Sequence, residues 1–159
     1  MKIEQFIEEF HKSQNKEAYV KKHVVNTYVP YEKKITIANA IVKRVMRMES
    51  GDVIRNTPAI YMNYVLALVK EYTDIEIMHD DSLNIMNSLE ENEITPIITK
   101  LVGKDIVSFE TILKMVVSDE IDNHNDIVNF MSLKSDNVSL IIDKIEETLK
   151  KAILTSQSK

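Results

Sequence analysis

The sequence predicts an all-α protein, a single-domain irregular bundle of about seven or eight helices around a buried central helix. The 159 residues include only two glycines and three prolines, so little interrupts helical structure. Apolar side chains recur at intervals of three and four residues through most of the chain, which is the spacing of one helix face. One stretch, 57–73, is apolar on nearly every side, as is typical of a helix enclosed by others.

The central helix has clear start signals. Asn56 or Thr57 can cap it, and Pro58 then falls in the first turn, where a missing N–H costs nothing. The stretch is too short to cross a bilayer, which needs about 20 apolar residues. Its tyrosines at positions 61, 64 and 72 could line a ligand pocket. We prefer the interpretation that they form a stripe of core side chains whose hydroxyls reach polar partners.

Before this helix, the pattern predicts a helix over 2–11 and a short helix or strand from Glu17. An extended arm then ends at Pro30, because the residue before a proline avoids helical geometry. An amphipathic helix is predicted over 31–48, and Gly51 marks the turn after it.

After the central helix, residues 74–78 alternate polar and apolar side chains and predict an extended segment or a tight turn. A turn is also predicted at 122–125. The remaining predicted helices are 80–92, 92–102 with Gly103 at its end, one capped by Asp105, 126–133 and 138–154. The domain is therefore expected to span 1–154, followed by a polar, frayed tail at 155–159.

Composition excludes several classes of site. The chain has no cysteine, which rules out disulfides, thiolate zinc sites, iron–sulfur clusters and a cysteine nucleophile. Two glycines are too few for the loops that wrap phosphates in nucleotide-binding proteins. No cofactor and no catalytic residue are predicted, and neither a signal peptide nor a membrane-spanning segment is found. The chain is therefore not expected to be an enzyme.

Two acidic stretches are possible metal sites. The run 119–126 could offer oxygen ligands. An EF-hand loop starting at Asp122 would need glycine at its sixth position and glutamate at its twelfth, but these positions hold Ile127 and Leu133. His79 with Asp80 and Asp81 has no second histidine nearby, and acids there suit a helix start. No metal site is predicted.

Charge is unevenly distributed. Residues 1–79 hold twelve Lys/Arg against ten Asp/Glu, a net +2, whereas 80–159 hold eight against fifteen, a net −7. The helix 31–48 carries a basic face without acids between Glu32 and Glu49. This candidate partner-facing or phosphate-facing surface comprises Lys33, Lys34, Lys43, Arg44 and Arg47. Because the chain is acidic overall and lacks interleaved aromatics, pairing of this face with the acidic C-terminal half or with a partner chain, which could be a second copy, is favoured over nucleic acid.

Several stretches together carry a resemblance to a group of proteins. They are YVPYEKK (28–34), NTPAIYMNYVLALVKEYTDIEI (56–77), the Leu89-Glu90 helix end and FETILKMVVSDEIDN (109–123). The chain resembles small helical proteins of undetermined function encoded by phages and prophages of low-GC Gram-positive bacteria. The resemblance implies a phage origin and transfers no catalytic residue.

The expected function is a non-enzymatic phage protein that acts by protein–protein contact, as a virion component or an accessory factor in head–tail or tail assembly. One alternative is a small phage-encoded inhibitor or regulator of a host system. A further alternative is a nucleic-acid-binding accessory protein that uses the basic face. The expected location is the cytoplasm of the bacterial host, or the virion.

Overall fold

The computed structural model describes residues 1–49, 52–77 and 81–125. Within these ranges the fold is all-α, and the seven helices agree with the predicted number. Two three-residue strands accompany the helices. The elements are α1 (Ile3–Lys12), α2 (Lys16–His23), α3 (Tyr31–Val45), β1 (Arg47–Glu49), β2 (Asp52–Ile54), α4 (Thr57–Tyr72), α5 (Ser82–Glu91) and α6 (Ile94–Val102). A seventh helix, α7, begins at residue 104 and is described as far as residue 125.

The first two helices pack through an aromatic cluster. Phe6 and Phe10 of α1 are buried, as their four-residue spacing predicts, and both rings contact Tyr19 of α2. The His23 ring meets the edge of Phe6 with its centroid at 5.1 Å. Asn15 caps α2 by accepting a hydrogen bond from the Ala18 amide at 2.9 Å.

Helix α4 begins as predicted, with the Asn56 side chain accepting a hydrogen bond from the Ala59 amide at 3.1 Å. It packs against α3, α5 and α6. Its buried side chains include Val65, Leu68 and Val69, each at most 2% exposed. Its burial is one-sided, however: Tyr61 is 48% exposed and Leu66 is half-buried, so the expectation of an apolar helix enclosed on all sides is too strong.

The predicted helix 31–48 is too long. Helix α3 ends at Val45, and β1 pairs with β2 in an antiparallel hairpin with Met48 opposite Val53. The strand composition explains the change, because the β-branched pair Val53-Ile54 favours extended backbone. The hairpin reverses the chain so that α4 can return alongside α3.

The predicted turn at 122–125 is also wrong, because α7 is helical through these residues. No glycine or proline interrupts the stretch, and isolated Asp and Asn residues do not end a helix on their own. Asp105 does not cap α7 either, since the helix already includes residue 104. The predicted helices 126–133 and 138–154 lie outside the described residues.

The extended arm before Pro30 is confirmed, and it follows a helix rather than a strand. Residues 74–77 are non-helical, with a bend at Asp74 and a parallel bridge between Glu76 and Lys2. Gly103 ends α6 with φ of 71°, a conformation that favours glycine.

The chain divides into two compact units, Met1–Asp119 and Glu120–Lys159, and only 120–125 of the second are described. The single domain over 1–154 and its polar tail stay predictions.

Candidate functional site

A buried ion pair joins α3 to the first turn of α7. Lys34 is only 2% exposed, and its Nζ atom lies 2.5 Å from Oδ1 of Asp105. The other carboxylate oxygen, Oδ2, accepts hydrogen bonds from the Tyr72 hydroxyl at 2.7 Å and from the Val29 amide at 2.9 Å. One carboxylate therefore ties together α3, α4, α7 and the chain before α3.

Electrostatics within this cluster favour the charged form of the carboxylate. Burial alone would raise the pKa of Asp105, but hydrogen bonds from Lys34, Tyr72 and Val29 together with the Lys34 charge hold that pKa below its usual range. Burial, followed by the hydrogen bond to Asp105, raises the pKa of the Tyr72 phenol well above its ordinary value. At neutral pH Asp105 is consequently ionised and Tyr72 is neutral.

The tyrosines of α4 have divergent environments. Tyr72 is fully buried against Asp105, and Tyr64 is buried with its hydroxyl donating to the Ile106 carbonyl at 3.4 Å. Both match the interpretation of core tyrosines with polar partners. Tyr61 is exposed, and its hydroxyl donates to Glu90 at 3.1 Å.

The arm, residues 24–30, is fixed to the body at both ends. At one end the amides of Val25 and Asn26 donate to the Tyr72 carbonyl at 2.9 and 3.2 Å. The Asn26 side chain also donates to the Glu71 carbonyl at 2.8 Å. At the other end Val29 is 2% exposed and its amide reaches Asp105. The backbone of the arm is therefore held in one path across the surface.

Large apolar side chains nevertheless project into solvent from this fixed segment and from the first residue of α3. We call Val25 and Tyr28 of the arm, together with Tyr31 of α3, the arm patch; they are 58%, 65% and 59% exposed. The Tyr28 ring is oriented by Lys34, whose Nζ atom lies 5.4 Å from the ring centroid. Tyrosine is enriched at protein interfaces because it offers a large contact area at a small entropic cost.

The predicted basic face is smaller than its sequence indicates. Lys34 does not belong to it, because its side chain is buried and paired with Asp105. Lys33 is exposed but forms an ion pair with Glu71. Lys43 and Arg44 are exposed and have no ion pair to a described residue, and the side chain of Arg47 lies outside what the structure describes.

A signal for the burial of Lys34 exists in the sequence. Within α3 the buried positions are Lys34, Ala38, Ile41 and Val42, which share one face at helical spacing. A lysine that begins an apolar stripe is a candidate for burial with a partner, since an unpaired buried charge is costly. Its partner could not be found this way, because Asp105 is 71 residues distant in the chain.

Helices α3 and α4 enclose a groove of about 280 Å³. Its apolar lining side chains are Ile37, Ala40 and Ile41 from α3, Leu66 and Ala67 from α4, and Ile77. Polar or charged lining groups are Thr36, Arg44, Asn63, Lys70, Glu71 and Ser82. We call this the α3–α4 groove.

A second groove of about 580 Å³ lies beside the start of α4. Tyr61, Tyr64 and Leu113 line it, with Arg55 and Lys114 as its cations. Lys114 is paired with Glu110 on the same helix at 2.6 Å.

Within 1–49, 52–77 and 81–125, no three His, Cys, Asp or Glu side chains are grouped so that they could hold a metal ion. The stretch 119–125 of the acidic metal candidate is helical, so it does not form the loop that wraps a calcium ion. None of the helices in these ranges is both long enough and apolar enough to span a membrane.

The fold and these surfaces define an all-α protein with a buried ionic junction, an exposed tyrosine-bearing arm and two open grooves. No family model, curated protein or solved structure matches the chain.

Proposed function

We propose that this chain is a non-enzymatic protein that works by protein–protein contact, with the arm patch as its contact surface. The observation that carries the proposal is the exposure of Val25, Tyr28 and Tyr31 on a backbone held by hydrogen bonds at both ends. A surface that is already ordered loses little conformational entropy when a partner binds.

The chemistry of the patch suits a protein partner. Tyrosine supplies an apolar ring and a polar hydroxyl, and interface residues that contribute most to affinity are often aromatic. The neighbouring ion pair of Lys34 and Asp105 fixes the position of Val29, and through it the adjacent Tyr28. The partner would therefore meet a preformed surface.

The biological setting follows from the sequence resemblance alone. On that basis we propose a phage protein present in the virion or assisting head–tail or tail assembly. An inhibitor or regulator of a host system would use the same kind of surface, as would contact between copies of this chain. Nucleic-acid binding is not favoured, because burial of Lys34 and the pairing of Lys33 with Glu71 remove two cations from the basic face.

Photo-crosslinking from the patch tests the proposal. We would replace Tyr28 or, separately, Tyr31 with a benzophenone amino acid, which retains an aromatic ring, and irradiate cells during expression of the protein. Both positions are expected to crosslink to the same protein, identified by mass spectrometry. A phage structural protein, a host protein or the chain itself would distinguish the three settings.

A matched control comes from exposed apolar side chains elsewhere. Leu83 is 66% exposed at the start of α5 and Met115 is 56% exposed on α7. The same crosslinker at these positions should not capture that partner. Absence of any crosslink from positions 28 and 31, or an identical set of products from 83 and 115, would contradict the proposal.

Affinity for the captured partner gives a second readout. Replacing Tyr28 and Tyr31 together with serine should weaken binding by about tenfold or more, since each buried interface tyrosine contributes on the order of 1 kcal/mol. Leu83→Ser is the comparison. Equal loss in both variants would point to a general effect rather than a specific surface.

A further inference from the structure

We propose that the α3–α4 groove binds a small organic anion that has an apolar body, of which a medium-chain alkyl carboxylate is the simplest example. This site is separate from the arm patch, so either proposal can fail without the other. The groove lies within the unit Met1–Asp119.

The floor and walls of the groove offer apolar contact. Ile37, Leu66, Ala67 and Ile77 are half-buried, so each leaves part of its apolar surface open to the groove. Covering such surface is favourable by about 25 cal/mol per Å². An occupant with an apolar body would therefore gain affinity from contacts that water cannot make.

The charges around the groove favour a negative head group. Arg44 from α3 and Lys70 from α4 both line the groove, and neither forms an ion pair with a described residue. Among the described lining residues the one carboxylate belongs to Glu71, and Lys33 neutralises it. Each of the two helices thus contributes a cation that no described acid pairs with, and the described lining leaves no unpaired acid to repel an anion.

The charged and the apolar side chains that line the groove differ in exposure, which indicates where each part of a ligand would lie. Arg44 and Lys70 are exposed, while Ile37, Leu66 and Ile77 are half-buried. The pair of Lys33 with Glu71 sets the start of α3 against the end of α4, so Lys70 lies towards one end of the groove and Arg44 towards the other. An anion would consequently keep its charged group near solvent, beside one of these cations, and insert its apolar part between α3 and α4. A guanidinium and an ammonium each suit a carboxylate or a comparable oxyanion.

The volume limits the size of the ligand. Pockets for drug-sized ligands occupy about 300–1,000 Å³, and this groove, at about 280 Å³, lies just below that range. Its apolar walls do not suit the several phosphates of a nucleotide. A single short chain with one anionic group meets both limits.

The test is a titration of ¹⁵N-labelled full-length protein with octanoate, followed by amide chemical shifts. Octan-1-ol and octylammonium, which share the chain but not the negative charge, are titrated in parallel. Octanoate is expected to shift the amides around Ala40, Arg44, Leu66 and Lys70 saturably. It should bind up to about fivefold more tightly than octanol, which is the order expected for one exposed charge contact.

Variants locate the site. The double substitution Arg44→Gln with Lys70→Gln should reduce octanoate affinity to that of octanol. Lys43→Gln is the matched control, because Lys43 is exposed next to Arg44 but does not line the groove. Ala40→Leu should reduce binding of octanoate and octanol alike by filling the groove. Thermal melts of each variant verify that the fold is retained.

Several results would overturn the proposal. One is equal affinity for octanoate and octanol. Another is that the Lys43 substitution reduces octanoate affinity as much as the double substitution does. A third is that the amide chemical shifts change only in the second groove, around Tyr61 and Leu113. Binding to phosphatidylglycerol vesicles without binding to free octanoate would also overturn it, because the site would then recognise a membrane surface.

Discussion

Helix α3 carries two basic side chains whose environments are opposite. Lys34, in its first turns, is 2% exposed and bonded to Asp105, whereas Arg44, near its end, is exposed and lines an open groove. The same charge is therefore paired in the interior at one end of the helix, whereas at the other end it is exposed and forms no ion pair with a described residue. The difference shows that a basic stripe in a sequence does not define one surface.

The largest expected effect comes from removing the buried carboxylate. Asp105→Asn leaves Lys34 charged and buried without a counter-ion, so the free energy of unfolding should fall by about 3–5 kcal/mol. Urea denaturation followed by circular dichroism measures the loss. The double variant Lys34→Met with Asp105→Leu should recover much of it, because replacement of a buried pair by apolar groups is often neutral.

The control for this prediction is the surface pair of Lys100 with Glu17, whose atoms lie 2.7 Å apart. Lys100→Met should cost no more than about 1 kcal/mol, since exposed pairs contribute little. A similar loss in Lys100→Met and Asp105→Asn would show that burial does not distinguish the two pairs.

The second prediction compares two leucines of α4. Leu68 is 2% exposed, and Leu68→Ala should reduce stability by about 2–5 kcal/mol. Leu66 is half-buried beside the α3–α4 groove, so Leu66→Ala leaves little new cavity and should cost clearly less. Thermal melts of both variants test the ranking, and equal losses would contradict a one-sided burial of α4.

The third prediction concerns the stability of the fold at acidic pH. Because the pKa of Asp105 is lower in the folded protein than its ordinary value of 3.8, its stabilising contribution is present above that pH. It is lost as pH falls further through the folded-state pKa. Urea midpoints measured along a series of acidic pH values should therefore fall less steeply in Asp105→Asn than in the unaltered protein.

The fourth prediction concerns the stability of the fold at alkaline pH. Burial, together with the hydrogen bond and charge of Glu9, raises the pKa of Tyr19 from 10.0 to about 12. The contribution of this group is complete below the unfolded value and is lost as pH rises through the folded value. Stability should decline above about pH 10, and Tyr19→Phe should reduce that decline. An unchanged alkaline slope in the variant would assign the decline to other groups.

The smallest expected effect is at Lys33, beside Lys34 in the sequence. Its pair with Glu71 joins α3 to α4 at the surface, where the lysine is 54% exposed. Lys33→Gln should change stability by less than about 1 kcal/mol. A loss as large as that of Asp105→Asn would mean that exposure does not govern the energetics of this basic face.

Much of the fold can be predicted because the signals for helices are local. The Asn56 cap with Pro58, the spacing of Phe6 and Phe10, and Gly103 at the end of α6 all depend on neighbours in the chain. The hairpin after Val45 escapes prediction because its strands are only three residues long, too short to show a periodicity. The helical residues 122–125 are predicted as a turn when Asp and Asn receive more weight than the absence of glycine.

The candidate sites can be predicted only in part. The sequence identifies the basic residues of α3, but which of them are buried, which are paired at the surface and which have no ion pair to a described residue depends on contacts with α4 and α7. Glu71 and Asp105 lie far from Lys33 and Lys34 in the chain, and no local pattern connects them. The α3–α4 groove depends on the distance between two helices, which periodicity does not encode.

The hydrogen bond from Val29 to Asp105 closes a segment of 76 residues. Closing so long a loop is entropically costly, whereas α3, the hairpin and α4 bring their contacts together over short stretches of chain. The α3–α4 pair is therefore expected to form early in folding, and the junction at Asp105 is expected to form after it. The arm patch would then gain its ordered conformation only once the rest of its unit has folded, so that incompletely folded chains present no competent contact surface.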